Sequence, residues 1–154
     1  KILFRGLTLF YLWDTMGLLK QKRNIKMSDN SRQNIENSVV DICLKYKSYN
    51  ALVKENRHSA AEEIIDELRE KPASVQVRSA WNNCPSEFKP EEFRIELSGG
   101  GPATRIIGDL DEHAEVWSVK PQHQDWFQPW KDLPIDEEET KAVKWFANLF
   151  YYGS

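Results

Sequence analysis

Residues 92–110 read EFRIELSGGGPATRIIGDL. Phe93, Ile95 and Leu97 alternate with Arg94 and Glu96, the period of a strand with one face buried. Residues 98–102, SGGGP, must form a turn. Glycine supplies positive φ at no steric cost, and proline cannot join a central ladder. Residues 103–110, ATRIIGDL, then predict the next strand. Two strands joined by so short a turn lie antiparallel.

The same period extends in both directions. Upstream, Val75, Val77, Ser79 and Trp81 alternate with Gln76, Arg78 and Ala80, a half-buried strand. Residues 82–90 are polar, carry Pro85 and Pro90, and read as a loop. Downstream, residues 111–114 are turn-forming, and residues 115–120, EVWSVK, predict a fourth strand. Pro121 is expected to end or bend it, with QHQDWFQPW (122–130) following as an irregular or edge segment.

Outside this region the period is helical. Ile35, Val39, Ile42, Cys43, Tyr46, Tyr49 and Val53 form one stripe, predicting a long helix over 31–54. Ser59 and Glu62 have capping-box spacing, so a second helix is expected from Ala60 to about Glu70. Ala61, Ile64, Ile65 and Leu68 make its buried side, and Pro72 stops it. The short link from Glu55 to His58 implies an antiparallel hairpin of helices. A last helix follows Asp136, with Glu137, Glu138 and Glu139 in its first turn, favourable against the helix dipole. Its apolar face is Ala142, Val143, Phe146, Leu149 and Phe150, with Gly153 as the expected C-terminal cap. The fold class is therefore α+β: a four-stranded antiparallel meander with two N-terminal helices and one C-terminal helix packed on the sheet.

The 154 residues allow one domain. The net charge of −3 averages two unlike pieces. Residues 1–26 hold six basic residues against Asp14 alone, which leaves fifteen basic and twenty-three acidic residues in 27–154, a net of −8. An acidic body disfavours non-specific nucleic-acid binding, which rests on Lys and Arg neutralising phosphates. The apolar stretch 2–19 is interrupted by Arg5 and Asp14, so it is marginal as a membrane span. Its basic run follows the apolar part, unlike a secretory signal. Three readings of 1–26 stay open: an amphipathic membrane anchor, a helix packed on the domain, or upstream translated sequence. The expectation adopted is the third, with a single acidic α+β domain over 27–154 beginning at Met27.

Four strings carry a resemblance: PASVQVRSAW (72–81), EFRIEL (92–97), GGPATRIIG (100–108) and QDWFQPW (124–130). Together they resemble a family of small uncharacterised proteins from phage, prophage and mobile-element gene clusters of bacteria. The sequence departs from that pattern at Gly99, where a Thr is expected, and at Ala80, where Gly is commoner. The resemblance implies a cytoplasmic accessory protein and no particular activity, so no functional residue is carried over.

Several constellations invite a chemical reading. Asp109, Asp111 and His113 alternate, and an extended chain would put all three on one face, where they suit a divalent metal or acid–base work. The competing reading is a solvated strand end and turn, which Asp favours on its own account. The three histidines, His58, His113 and His123, and the two cysteines, Cys43 and Cys84, lack the paired spacing of a zinc site. Cys84, in a polar loop, reads as an ordinary surface thiol. The 99–102 glycine–proline run lacks the Gly-Lys-Ser/Thr ending of a phosphate loop, and a strand follows it. Arg105 would hold either a ligand anion or an internal carboxylate such as Glu96, and the internal cross-strand partner is favoured.

Five of the six tryptophans lie after residue 80: Trp81, Trp117, Trp126, Trp130 and Trp145. Trp126 and Trp130 sit in a polar, proline-bounded segment. Either their rings fold back against Trp145 and Phe146 to seal the sheet, which is favoured, or they face a partner, or one ring is buried while the other sits in a groove. The functional expectation is a non-enzymatic accessory protein that binds a host or phage protein, with Arg105, Asp125, Trp126 and Trp130 as candidate contacts and no cofactor. The alternatives are a metal-dependent enzyme built on Asp109, Asp111, His113 and Asp125, and a single-stranded nucleic-acid binder using Trp126, Trp130 and Arg105.

Overall fold

The computed structural model describes residues 30–79, 89–100 and 102–153. The expectations for residues 1–27, for Trp81 and for Cys84 lie outside the described residues. The order is α1 (Asn30–Lys54), α2 (His58–Arg69), β1 (Ser74–Arg78), β2 (Glu92–Ser98), β3 (Ala103–Asp109), β4 (Lys120–Gln124), β5 (Lys131–Asp132) and α3 (Glu137–Ala147). The class is α+β, with one antiparallel sheet in the order β1-β2-β3-β4-β5. The sheet has five strands, one more than expected, the fifth being only two residues long.

The helices sit on one face of the sheet, but not side by side upon it. The long α1 lies against β3 and β4, while α2 and α3 make their main backbone approach to α1. The expectation that all three pack directly on the sheet is corrected accordingly. Ile35, Val39 and Ile42 of α1 meet Leu68 of α2, Val143 and Phe146 of α3, and Phe93, Ile95 and Ile106 of the sheet in one core. Tyr46 and Tyr49 continue the α1 stripe by packing on Trp145, each with its ring centroid 5.2 Å away. The stripe ends before Val53, which is exposed.

The joint between α1 and α2 explains why the expected capping box is not formed. Asn56 takes a left-handed conformation (φ 56°). Its N–H donates to the Val53 carbonyl and the Arg57 N–H to that of Leu52, which together close the end of α1. Arg57 then serves at once as the N-cap of α2, with no side-chain capping bond. The helix therefore starts at His58, and Ser59 falls inside its first turn instead of at its cap. The α3 start is as expected. The Asp136 carboxylate accepts from the Glu139 N–H at 2.9 Å, and the Glu139 carboxylate accepts from the Asp136 N–H at 3.0 Å. Its end differs: Asn148 is the C-cap, and Gly153 (φ 83°) lies beyond it.

In the sheet, Ile95 opposes Ile106, and Phe93 opposes Gly108. A one-residue slip between Glu96 and Ser98 interrupts the β2–β3 register. Leu97 thereby packs on the core while the Ser98 and Thr104 hydroxyls share a hydrogen bond of 2.9 Å.

The fourth strand lies further along than expected. Residues 115–119 form a loop with a single bridge, Val116 to Leu110. The Trp117 and Ser118 N–H groups both converge on the Asp109 carbonyl. A Cβ on Gly108 would lie 1.9 Å from the Ser118 carbonyl oxygen, so only glycine admits this close crossing. The strand proper runs over 120–124 and contains Pro121, which pairs with Ile106. Proline is tolerated because a strand residue's N–H and C=O point to the same neighbour. The Pro121 carbonyl accepts from the Leu133 N–H at 2.8 Å, so its missing N–H faces only the far end of the short edge strand β5.

Candidate functional site

The strand alternation divides the sheet into two faces. Phe93, Ile95, Thr104, Ile106, Pro121 and His123 point to the helices and are buried. The residues between them point to the other face, over which none of the described helices packs. There Glu96 opposes both Ser74 and Arg105, Arg105 opposes Gln122, and Gln122 opposes Asp132, making one row across five strands. A second row runs from Gln76 through Arg94 and Ile107 to Lys120, and a third from Arg78 through Glu92 to Asp109.

Arg105 is central to this face. Its Nε donates to Gln122 Oε1 at 2.8 Å, and its guanidinium lies 3.8 Å above the Trp130 ring centroid. Gln122 is held in turn by Asp132, to which its amide donates at 2.6 Å. The expected pairing of Arg105 with Glu96 is not the contact made. Glu96 instead accepts from Ser74 and pairs with Arg94 at 3.3 Å. Arg78 grips Glu92 with two nitrogens, at 2.8 and 2.9 Å. A cavity of 260 Å³ opens among these side chains, lined by Gln76, Arg78, Glu92, Arg94, Arg105 and Ile107, with Val77 and Phe93. Loss of hydration lowers the Arg105 pKa from its ordinary value, and the nearby charge of Arg94 lowers it further, while Glu96 opposes both.

The β4–β5 connection projects the other aromatic residues. Gln128 donates its N–H to the Asp125 carbonyl, closing a four-residue turn over 125–128. The Asp125 carboxylate accepts from the Trp126 N–H at 2.9 Å, and the Gln124 amide donates to the Gln128 carbonyl at 2.7 Å. Phe127 takes φ 58° in the third position, which such turns reserve for Gly or Asn. Its side chain is 99% exposed, and the adjoining Trp126 is 62% exposed. The favoured expectation that Trp126 and Trp130 fold back on Trp145 is thus corrected. Trp145 is occupied by the α1 tyrosines, Trp130 lies under Arg105, and Trp126 stands in solvent. Trp117, 72% exposed, lies 5.9 Å from the Lys144 ammonium.

The Asp109, Asp111 and His113 set does not converge. The Asp111 carboxylate accepts from the backbone N–H groups of Glu115 and His113, which lower its pKa and shape the turn. Asp109 accepts from the Ser118 hydroxyl at 2.6 Å. Exposed His113 sits 3.6 Å from Glu112. Among the described residues no three His, Cys, Asp or Glu side chains are grouped to hold a metal ion. Cys43 is buried in the core.

One pairing was not anticipated. The Ser31 hydroxyl lies 3.0 Å from His123 Nδ1, although the two residues are 92 apart in sequence. That distance suits a nucleophile and its base. Both side chains are buried, however, and the contact joins the first turn of α1 to β4. The sequence signal was the inward position of His123, visible only once the β4 register is known. No helix among the described residues is long and apolar enough to cross a membrane. Comparison with protein-family models, curated proteins and solved structures finds no match to this chain.

Proposed function

We propose that this protein acts by binding another protein, with the 125–128 turn as the principal contact. The observation that carries the reading is Phe127, fully exposed on a backbone conformation that costs a non-glycine residue about 1 kcal/mol. Retaining a large aromatic ring where glycine is easier makes sense when the ring has a partner outside the chain. Trp126 beside it, with ring centroids 6.2 Å apart, adds the area and low entropy cost that make aromatic residues strong interface anchors. Asp125 positions Trp126 through its backbone N–H and is a supporting contact. The acidic body favours a partner with a basic surface, which would speed encounter.

The setting, an accessory role in bacterial or phage cytoplasm, rests on the resemblance of residues 72–130 alone. The two alternatives lose support. The metal-dependent reading lacks converging ligands, and the single-stranded nucleic-acid reading needs a free Trp130 face where Arg105 stacks. The test is affinity capture from bacterial lysate on the full chain, comparing wild type with the double variant Trp126→Ala/Phe127→Gly. The expected result is loss of a stoichiometric partner with no fall in melting temperature. An identical set of captured proteins overturns the assignment of the contact to this turn.

A further inference from the structure

Around the cavity on the open face, positive charge exceeds by one the carboxylates in contact with it, while Lys120, Asp109 and Asp132 lie elsewhere on the face. Three guanidiniums, Arg78, Arg94 and Arg105, line the cavity, and the acids in contact with them are Glu92 and Glu96. Arg78 spends its fork on Glu92. Arg94 is engaged by Glu96 and by the Gln76 side chain. Arg105 alone has no carboxylate in contact: a neutral amide takes its Nε, and an aromatic face supports its plane. Its two terminal nitrogens donate to no described residue. The side chain is nonetheless fixed, because Gln122 is anchored by Asp132 and Trp130 lies against the guanidinium. A planar fork held in place and lacking an acceptor matches the two oxygens of a carboxylate.

We propose that this cavity binds the carboxylate of a small monocarboxylic acid, with Arg105 as the binding fork and Arg94 as a second cation nearby. The charge surplus is one, so a single negative charge completes it. A phosphoryl dianion would bring a second charge against Glu92 and Glu96 and is the poorer fit. The remaining outward wall includes Ile107, which suits an apolar body on the acid. The volume of 260 Å³ lies just under the range for drug-sized ligands, which limits that body to a single ring or a short branched chain. The site is separate from the 125–128 turn, and neither reading depends on the other.

The test is a two-dimensional NMR titration of the full chain with benzoate, with benzamide as its neutral counterpart and inorganic phosphate as the dianion. Benzoate is expected to shift the Arg105 Nε–H and Gln122 side-chain amide signals saturably, and to bind about tenfold more tightly than either comparison compound. Arg105→Gln is expected to weaken benzoate about tenfold or more, and Arg105→Lys to weaken it partly, because the charge stays while the fork is lost. The wild-type shift map reports the site even where a variant misfolds. Equal binding of benzamide, tighter binding of phosphate, undiminished binding to folded Arg105→Gln, or no saturation below about 50 mM would each overturn the proposal.

Discussion

The two faces of the sheet are made by the same strands and obey opposite rules. Ile106 and Ile107 are neighbours in β3, yet Ile106 is fully buried against the helices while Ile107 borders a polar cavity. The inner face is held by shape, with each side chain touching several others at native density. The outer face is held by charge and hydrogen bonds between exposed groups, each worth little alone. Stability is therefore expected to reside on one face, leaving the other free to vary its chemistry.

The largest effect should come from breaking the inner face. Ile106→Ala is expected to cost about 3 kcal/mol and Ile107→Ala less than about 1 kcal/mol, measured by chemical denaturation. Equal costs would mean that the outer face is covered as well. Next is Gly108→Ala. The added methyl meets the Ser118 carbonyl at 1.9 Å and the Phe93 ring at 2.6 Å, so the 115–119 loop must move off the strand. A loss of about 2 kcal/mol is expected. An unchanged melting curve would show that the crossing is not tight.

A third prediction concerns the C-terminal end of the inner face. The Tyr152 hydroxyl donates to the Ala147 carbonyl at 2.7 Å, and its ring packs 5.0 Å from that of Phe93. Burial raises the pKa of this phenol well above its ordinary value of 10.0. The unfolded chain therefore gives up the proton first as pH rises. Stability from this group is intact below pH about 10 and falls progressively above it. Tyr152→Phe should cost about 1 kcal/mol at neutral pH, because the Ala147 carbonyl loses its shorter hydrogen bond and keeps only the Phe150 N–H at 3.3 Å. It should also flatten the decline in stability between pH 9.5 and 11, roughly the window in which a free phenol titrates. A variant with the wild-type alkaline slope would place the titrating group elsewhere.

What was legible in the sequence was local. Alternation in 92–110 marks β2 and β3, because one buried face imposes a period of two on any strand. Asp136 and Glu139 announce the start of α3, because a capping box needs only residues three apart. The misses depend on neighbours distant in sequence or on competing local solutions. Pro121 reads as a strand breaker until its missing N–H is known to face the end of a short edge strand. Ser59 reads as a cap until Asn56 turns the chain into α2 earlier. At the site, Arg105, Asp125, Trp126 and Trp130 could each be singled out by residue type. The stacking of Arg105 on Trp130 could not, since it depends on which strand pairs with which and on which face each side chain leaves.

The 125–128 turn lies outside both faces, and Phe127 tests what it is for. Phe127→Gly removes the cost of a positive φ, about 1 kcal/mol, and adds back part of it through the greater chain entropy of glycine. The net expectation is a gain of about 0.5 kcal/mol in stability. A substitution that stabilises the fold while weakening partner capture would separate the turn's function from its structural role. A loss of stability would instead mean that the ring supports the fold.

The smallest effect belongs to the outer face itself. Arg78 and Glu92 meet through two nitrogens and two oxygens, but the Arg78 side chain is 74% exposed. Solvent screening then leaves a coupling of about 0.3 kcal/mol in a double-mutant cycle with Arg78→Met and Glu92→Gln, shrinking further at high salt. So small a coupling sharpens the contrast between the faces. This pair does little to hold the sheet together, but it places the Glu92 carboxylate in the wall of the cavity. Glu92→Gln should therefore leave stability almost unchanged while raising the affinity of the cavity for benzoate, because one negative charge near the site is removed. Weaker benzoate binding in that variant would show that Glu92 orients the site instead of opposing the ligand's charge.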